Sequence, residues 1–219
     1  MGGVIFVAGL VAGPVDDDGN VDVALLRDDP AALDAALATF AEVGPESDPD
    51  AFPSRQHQLA YYLDAYATFV LGSIVARPER DHVPHLRADP FPWRRHRIDG
   101  RRLDLVRLRE VIAGTFDDPR VHLALACGAS SCPALRGFTP ETVDAELDAA
   151  VRAFVDDERN VRVEDGVILL SPIFRWYRTA FEEAGGAVSF VARYRAEPLP
   201  TAAEIGWLPW DRTLSLRVE

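Results

Sequence analysis

Lysine is absent from the 219-residue chain, and all 23 of its basic side chains are arginines. The 35 acidic residues outnumber them, which gives a formal net charge of −12. A surface with this excess of negative charge repels phosphate backbones. The composition therefore argues against nucleic-acid binding.

Long apolar runs are also missing. No stretch approaches the roughly 20 apolar residues that a helix needs to cross a bilayer, so we predict no membrane span. The apolar segment at the start of the chain has no basic residue ahead of it, which argues against an intact signal peptide. We expect a cytoplasmic protein, and a trimmed start would leave secretion open.

Cysteine is scarce: the chain has only Cys127 and Cys132, too few for a disulfide framework. Both lie close to His122 in the sequence, and an imidazole beside a thiol can act as the base for a thiol nucleophile. Cys132 precedes Pro133, a residue suited to the first turn of a helix, and a helix N-terminus lowers a thiol pKa. We therefore prefer Cys132 as the candidate nucleophile and His122 as its base.

The loop between the cysteines adds polar groups to this candidate site. Ser130 and Ser131 supply hydroxyls, and the amides of the loop could form an oxyanion or anion pocket. Asp64 lies among apolar residues in the middle of a predicted helix, and a buried carboxylate needs a partner. Asp64 is then either paired with an arginine or orients the imidazole.

Several structural interpretations of these residues stay open. His122 could be a core histidine bonded to the backbone, and Cys127 could be a packed thiol. The two cysteines could form a disulfide in an oxidising compartment. Two cysteines and one histidine give only three zinc ligands, so we predict neither a metal nor a cofactor.

Periodicity and turn residues indicate one α+β domain, in which helices pack on a small antiparallel sheet. Residues 1–18 form an N-terminal segment and residues 19–219 form the domain. Asp99-Gly100 and Asp165-Gly166 each mark a hairpin. We predict helices near 30–44, 55–77, 104–114, 139–155, 171–181 and 188–196, strands at 121–127 and 213–218, and a long loop at 78–95.

Several segments in order resemble the domain of unknown function 547 family, from about Gly19 to Val218. The strongest is a His-containing segment that leads to a Cys-x4-Cys-Pro ending. The matching segments are Gly19-Asn-Val-Asp-Val, Asp118-Pro-Arg-Val-His122, Cys127 to Pro133, Asn160 to Tyr177, and Leu208-Pro-Trp-Asp211. The resemblance groups the chain with papain-like and transglutaminase-like cysteine hydrolases. It thus implies a thiol nucleophile at Cys132, a histidine at His122 and a polar orienting residue.

The chain departs from the family pattern on two helices. Asp64 and Ala67 stand where the central helix of the family has asparagines. Arg109 and Glu110 stand where a later helix of the family has a Glu-His pair. If that missing histidine is the base, this member is inactive. If His122 is the base, the site survives with Asp64 as the orienting residue.

These observations lead to two functional hypotheses. The first is a cysteine-dependent hydrolase or acyl transferase that acts on amide or peptide bonds, with Cys132, His122 and Asp64 as a triad. The second is a non-catalytic ligand- or protein-binding domain on a degraded hydrolase scaffold. The substrate and the oligomeric state do not follow from the sequence.

Overall fold

A computed structural model describes residues 20, 22–76, 95–201 and 203–214. The N-terminal segment 1–18 lies outside the described residues. So do nearly all of the predicted loop at 78–95 and most of the predicted strand at 213–218.

The described residues form a mixed helical and β structure, which confirms the predicted α+β class. Short 3₁₀ turns at Pro49–Ala51 and Pro119–Leu123 lie between longer elements. The helices are α1 (Val23–Asp28), α2 (Ala31–Glu42), α3 (Arg55–Val75), α4 (Leu105–Phe116), α5 (Val143–Asp156), α6 (Ile173–Trp176), α7 (Arg178–Glu183) and α8 (Ala187–Tyr194). The strands are β1 (His96–Ile98), β2 (Arg101–Leu103), β3 (Val161–Glu164), β4 (Val167–Leu170) and β5 (Glu204–Trp207).

Helix α3 is the centre of the larger hydrophobic core. Its apolar residues nearly encircle the helix, and 15 of its 21 residues are buried. Ser54 caps the helix by accepting a hydrogen bond from the His57 amide at 3.3 Å. Helices α2, α4 and α5 pack against it, and its range confirms the helix predicted near 55–77.

Both predicted hairpins are present. Asp99 and Gly100 adopt φ values of 53° and 71°, and Asp165 and Gly166 adopt 49° and 79°. Positive φ at both turn positions matches the twist of two antiparallel strands, as in a type I′ turn. The two Asp-Gly pairs therefore fix β1–β2 and β3–β4.

The prediction of a purely antiparallel sheet is wrong in one pairing. Strand β5 joins β4 in parallel, with Ile168 opposite Ile205, so the second sheet has the order β3-β4-β5. A parallel strand needs a crossover connection, and helices α6 to α8 supply it.

Residues 121–126 are buried, but the segment 121–127 is not the predicted strand. Residues Pro119–Leu123 form a 3₁₀ helix that Asp118 caps by accepting a hydrogen bond from the Arg120 amide at 3.0 Å. Pro119 fixes φ in the helical range at its first position. A short apolar run signals burial, and the cap and the proline decide the local conformation.

Asp99 fixes the first hairpin to the end of α2. Its carboxylate accepts hydrogen bonds from the Glu46 amide at 2.8 Å and the Ser47 amide at 3.0 Å. Its own amide donates to the Phe40 carbonyl at 2.8 Å. Gly44 lies inside this junction, where an added Cβ would be 2.5 Å from both Asp99 Cγ and the Tyr61 hydroxyl.

We expect Gly44→Ala to lower the free energy of unfolding by about 1–3 kcal/mol, because the new methyl group overpacks the junction. Gly114→Ala is the matched control. Gly114 lies within α4 and has no neighbouring atom within 4 Å of an added Cβ. This second change should stabilise the protein by roughly 0.5–1 kcal/mol through helix propensity. Urea unfolding of both variants measures the difference, and equal stabilities would contradict the packing described.

Candidate functional site

Cys127 and Cys132 are joined by a disulfide, with their Cα atoms 5.7 Å apart. The loop between them turns at Gly128, which has a φ of 82°. Hydrogen bonds of Ser130 and Ser131 hold the loop to the C-terminal segment. The Ser130 amide donates to the Thr213 carbonyl at 2.8 Å, and the Ser131 hydroxyl accepts from the Asp211 amide at 2.8 Å.

No helix begins at Cys132, so the predicted position of this thiol at a helix N-terminus is wrong. Residues 133–139 are non-helical, and α5 begins only at Val143. Pro133 therefore marks an irregular segment here, because a proline suits extended chain as well as a first helical turn.

The amides predicted to form an oxyanion hole are engaged in backbone hydrogen bonds. The Ser131 amide donates to the Asp211 carbonyl at 3.3 Å, and the Cys132 amide donates to the Ala129 carbonyl at 2.8 Å. The Ser130 hydroxyl donates to the Thr213 carbonyl at 3.1 Å. An anion-binding role for Ser130 and Ser131 would require these bonds to break, and it stays a prediction.

His122 packs against aromatic rings. Its imidazole is stacked on Tyr177, with ring centroids 4.1 Å apart and planes 14° apart, and it is tilted towards Phe181 at 6.1 Å. Its buried Nδ1 has no hydrogen-bond partner in the part of the chain that the structure describes. Burial, and then the nearby Arg109 cation, lower the pKa of His122 to about 4, against an opposing effect of Asp118. The ring is therefore neutral at neutral pH, and it provides no imidazolium to pair with a thiolate.

Arg109 holds this aromatic group in place. Its guanidinium donates hydrogen bonds to the Tyr177 hydroxyl at 2.6 Å, the Tyr66 hydroxyl at 2.9 Å and the Leu125 carbonyl at 3.0 Å. Among the described residues it forms no ion pair with a carboxylate. Arg109 thus ties α4 to α3 and to Tyr177, the residue between α6 and α7.

Asp64 is hydrogen-bonded to the loop that follows Cys132. Its carboxylate is fully buried and accepts a hydrogen bond from the Phe138 amide at 2.9 Å. Among the described residues, no hydrogen bond joins Asp64, His122 and the Cys132 sulfur to one another. The catalytic roles that the sequence suggested for these three residues stay predictions.

A cavity of about 90 Å³ lies beside the disulfide. Its walls come from the 3₁₀ helix, the loop after Cys132, helix α5 and the residue before β3. They consist of Leu123, Cys132, Ala134, Arg136, Ala150, Ala153, Phe154 and Asn160. The accessible surface of the cavity is mainly polar, and Arg136 is the charged side chain among the residues that line it.

The two polar side chains of the cavity have no protein partner among the described residues. Arg136 is partly buried, forms no hydrogen bond or ion pair there, and has a pKa lowered by burial. Asn160 is 3% exposed, and its buried Oδ1 has no hydrogen-bond partner. The guanidinium of Arg136 is not among the buried unpartnered atoms, whereas Asn160 Oδ1 is a buried acceptor with almost no accessible surface.

The sequence did not point to Arg136 or Asn160. Arg136 is one of many arginines, and Asn160 follows a charged stretch that is typical of a turn. Only the packing of α5 against the loop brings them to one cavity. The absence of an acidic residue near Arg136 in the sequence is the one available signal.

No group of three or more His, Cys, Asp or Glu side chains within the described ranges could hold a metal ion. In the same ranges, no helix is both long and apolar enough to cross a membrane.

The fold and the site define a mixed α+β domain with a disulfide-bounded cavity. Residues 50–155 match the model of a family described as protein of unknown function, DUF547. The match includes α3, both cysteines and α5, and it supports the resemblance over this part of the chain. The similar segments near Asn160 to Tyr177 and Leu208 to Asp211 lie outside it. No curated protein and no solved structure matches the chain significantly.

Proposed function

We propose that this protein is a non-catalytic ligand-binding domain whose site is the cavity beside the Cys127–Cys132 disulfide. The observation that carries the proposal is the pairing of the predicted nucleophile in a disulfide, next to a cavity lined in part by Arg136 and Asn160. Ligand sites are concave and hold a few polar groups at fixed positions, and Arg136 and Asn160 are such groups here.

The surroundings of Cys132 support binding over catalysis. A thiol nucleophile needs a base within hydrogen-bond reach, and no such bond to an imidazole exists among the described residues. His122 instead packs on Tyr177. A site without an activated nucleophile can still hold a small molecule.

Filling the cavity tests the proposal. Ala153 lies at its wall on α5, and Ala149 is an exposed residue of the same helix that does not line the cavity. Small carboxylic acids, amides and alcohols at millimolar concentration should shift the backbone amide NMR signals of the residues around the cavity. We expect Ala153→Leu to abolish these shifts and Ala149→Leu to retain them. Shifts that persist equally in both variants would contradict the proposed site.

A second candidate is the cysteine-dependent hydrolase or acyl transferase that acts on amide or peptide bonds, with the papain-like and transglutaminase-like grouping that the resemblance implies. The observation that favours it is that Cys132 lines the cavity. This function requires reduction of the disulfide and a rearrangement that brings an imidazole to the sulfur. A cytoplasmic location would favour the reduced form, whereas disulfides persist in oxidising compartments.

Hydrolysis of an activated ester separates the two candidates. The hydrolase requires that reduction creates an activity that Cys132→Ser loses and Cys127→Ser keeps. The binding domain predicts no difference between these two variants and a rate no higher than that of a simple thiol. A Cys132-dependent activity would therefore overturn the proposed function in favour of the second candidate.

A further inference from the structure

We propose that the outer edge of strand β5 binds an extended, basic segment of another protein as an added antiparallel strand. The added segment carries two apolar residues that are separated by one residue, and an arginine or lysine follows the second of them directly. This surface is distinct from the cavity of the proposed function, since none of the residues that line the cavity belongs to β5.

The outer edge of β5 presents open backbone groups. The Leu208 amide donates to the Leu170 carbonyl at 2.9 Å, and Leu170 lies opposite Trp207 in the parallel pair. In such a ladder every second residue of β5 is bonded to β4, so the N–H and C=O groups of Ile205 and Trp207 point away from β4. Among the described residues, no hydrogen bond from elsewhere reaches these four groups. Open groups of this kind are a template for pairing with another chain.

The opposite edge of the same sheet is partly closed by the chain itself. Strand β3 forms that edge. The Val161 amide donates to the Asp157 carbonyl at 3.0 Å, and the Val161 carbonyl accepts a hydrogen bond from the Arg195 guanidinium at 3.1 Å. Bonds within the chain protect an edge strand against pairing with another chain. The sheet is therefore more open to an added strand at β5 than at β3.

The side chains of Ile205 and Trp207 select apolar residues in the added strand. They are 52% and 41% exposed. They lie on the same face of the sheet as Ile168 and Leu170, because partners across a ladder share a face. Ile168 and Leu170 are buried, so this apolar face runs from the interior to the open edge. In an antiparallel strand, apolar residues at positions i and i+2 lie opposite Trp207 and Ile205.

The charges at the two ends of β5 select the basic residue and its position. Glu204 is exposed at the start of the strand, and Asp165 is exposed in the turn before Val167, the partner of Glu204 on β4. Neither carboxylate forms an ion pair among the described residues. At the other end, Arg175 Cζ lies 5.3 Å from the centroid of the Trp207 ring. In an antiparallel strand, residue i+3 lies opposite Glu204, so a basic side chain there is complementary and an acidic one is repelled.

The net charge favours such a partner over a second copy of this chain. Each copy carries a formal charge of −12, so two copies repel each other, whereas a basic segment is attracted.

Titration of the full-length protein with two end-blocked peptides tests the inference. The arginine peptide is Thr-Thr-Val-Thr-Val-Arg-Thr-Thr, and the glutamate peptide has glutamate in place of the arginine. We expect the arginine peptide to bind with a Kd of roughly 0.5 mM and to shift the amide NMR signals of β5. The glutamate peptide should bind about fivefold more weakly, the change expected for one exposed charge pair.

Proline substitutions test the backbone pairing. Ile205→Pro should abolish binding of the arginine peptide, because it removes an outward N–H and keeps the bonds to β4. Val163→Pro is the matched control on β3 and should retain binding. The two-residue turn makes Glu164 and Val167 a hydrogen-bonded pair, so the Val163 N–H also points away from β4. If Ile205→Pro fails to fold, N-methylation of both valines of the peptide tests the same pairing and should also abolish binding.

Glutamate variants test the charge preference. Glu204→Gln should remove the fivefold preference for the arginine peptide. Glu183→Gln should keep it, because Glu183 is an exposed residue of α7 without an ion pair among the described residues. Equal affinities of the two peptides for the unchanged protein would overturn the inference.

The remaining outcomes separate this surface from other occupants and from the cavity. Peptide binding that persists in Ile205→Pro, or no binding at all, would overturn the inference and leave the cavity proposal intact. A concentration-dependent dimer in sedimentation that Ile205→Pro abolishes would also overturn it, since a second copy would then occupy the edge. Ala153→Leu, which fills the cavity, should leave peptide binding unchanged.

Discussion

Replacement of Arg120 by glutamine should lower the free energy of unfolding by about 3–5 kcal/mol. The Arg120 side chain is 18% exposed and contacts the carboxylates of Asp118 at 2.7 Å, Asp144 at 2.8 Å and Asp148 at 2.8 Å. Its removal leaves Asp118 and Asp144 without their cation, and it leaves Asp148 with only the more distant Arg152 at 3.7 Å. Since these contacts join the 3₁₀ helix to α5, the change loosens two walls of the cavity.

Urea unfolding at low salt measures this effect. Arg107→Gln is the control, because Arg107 and its partner Glu110 are both exposed and the pair lies on the surface of α4. Exposed pairs of this kind contribute about 0–1 kcal/mol. The loss in Arg120→Gln should shrink in high salt, which screens the repulsion among the carboxylates. Equal stabilities of the two variants would show that the network contributes little.

His122 should make the protein lose stability as the pH falls from about 6.5 to about 4. Its pKa in the folded protein is lowered to about 4 by burial and by Arg109, against an ordinary value of 6.5. As the pH falls, the unfolded chain therefore takes up the proton before the folded protein does. Protonation of His122 stabilises the unfolded state, and this stabilisation grows as the pH falls from 6.5 to 4. The contribution of neutral His122 is fully present above pH 6.5, and about 3 kcal/mol of it is lost by pH 4.

Comparison with His122→Phe isolates this contribution, because carboxylates also titrate at the acidic end of the window. Phenylalanine keeps an aromatic ring on Tyr177 and removes the titrating group. The difference in unfolding free energy between the two proteins should shift by about 3 kcal/mol in favour of the variant between pH 6.5 and pH 4. A pH-independent difference, or an imidazole NMR signal that titrates near pH 6.5, would contradict the buried position of His122.

The elements that the sequence predicts well carry strong local signals. Ser54 and Asp104 cap α3 and α4 because each side chain accepts a hydrogen bond from an amide of the first turn. Asp-Gly pairs mark both hairpins because the second residue tolerates positive φ. In these places the local preference and the fold agree, so the sequence pattern is sufficient to predict the element.

The elements that the sequence misses depend on distant contacts. Strand β5 is short and partly exposed, and only its pairing with β4 makes it a strand. The segment after Asp118 looks like a strand in the sequence. In a short apolar run, periodicity alone cannot tell a buried strand from a buried helical segment. Local propensity is overridden there by the cap and by the contacts of Arg120 with α5.

The candidate site likewise has a part that local sequence predicts and a part that depends on distant contacts. The closeness of Cys127, Cys132 and His122 is visible in the sequence, and a disulfide was one of the interpretations that it left open. The stacking of His122 on Tyr177 and the meeting of Arg136 with Asn160 join residues that are distant along the chain. The sequence therefore located the neighbourhood of the site, and the packing determined which side chains face the cavity.

The alkylation rate of Cys132 tests the central claim, that this site binds and does not catalyse. The account predicts that iodoacetamide labels neither cysteine of the non-reduced protein, because the two are joined. After reduction, Cys132 should react no faster than glutathione, because His122 is neutral and packed on Tyr177. Alkylation of Cys132 that is much faster than that of glutathione, lost in Cys132→Ser and kept in Cys127→Ser, would identify an activated nucleophile and contradict the account.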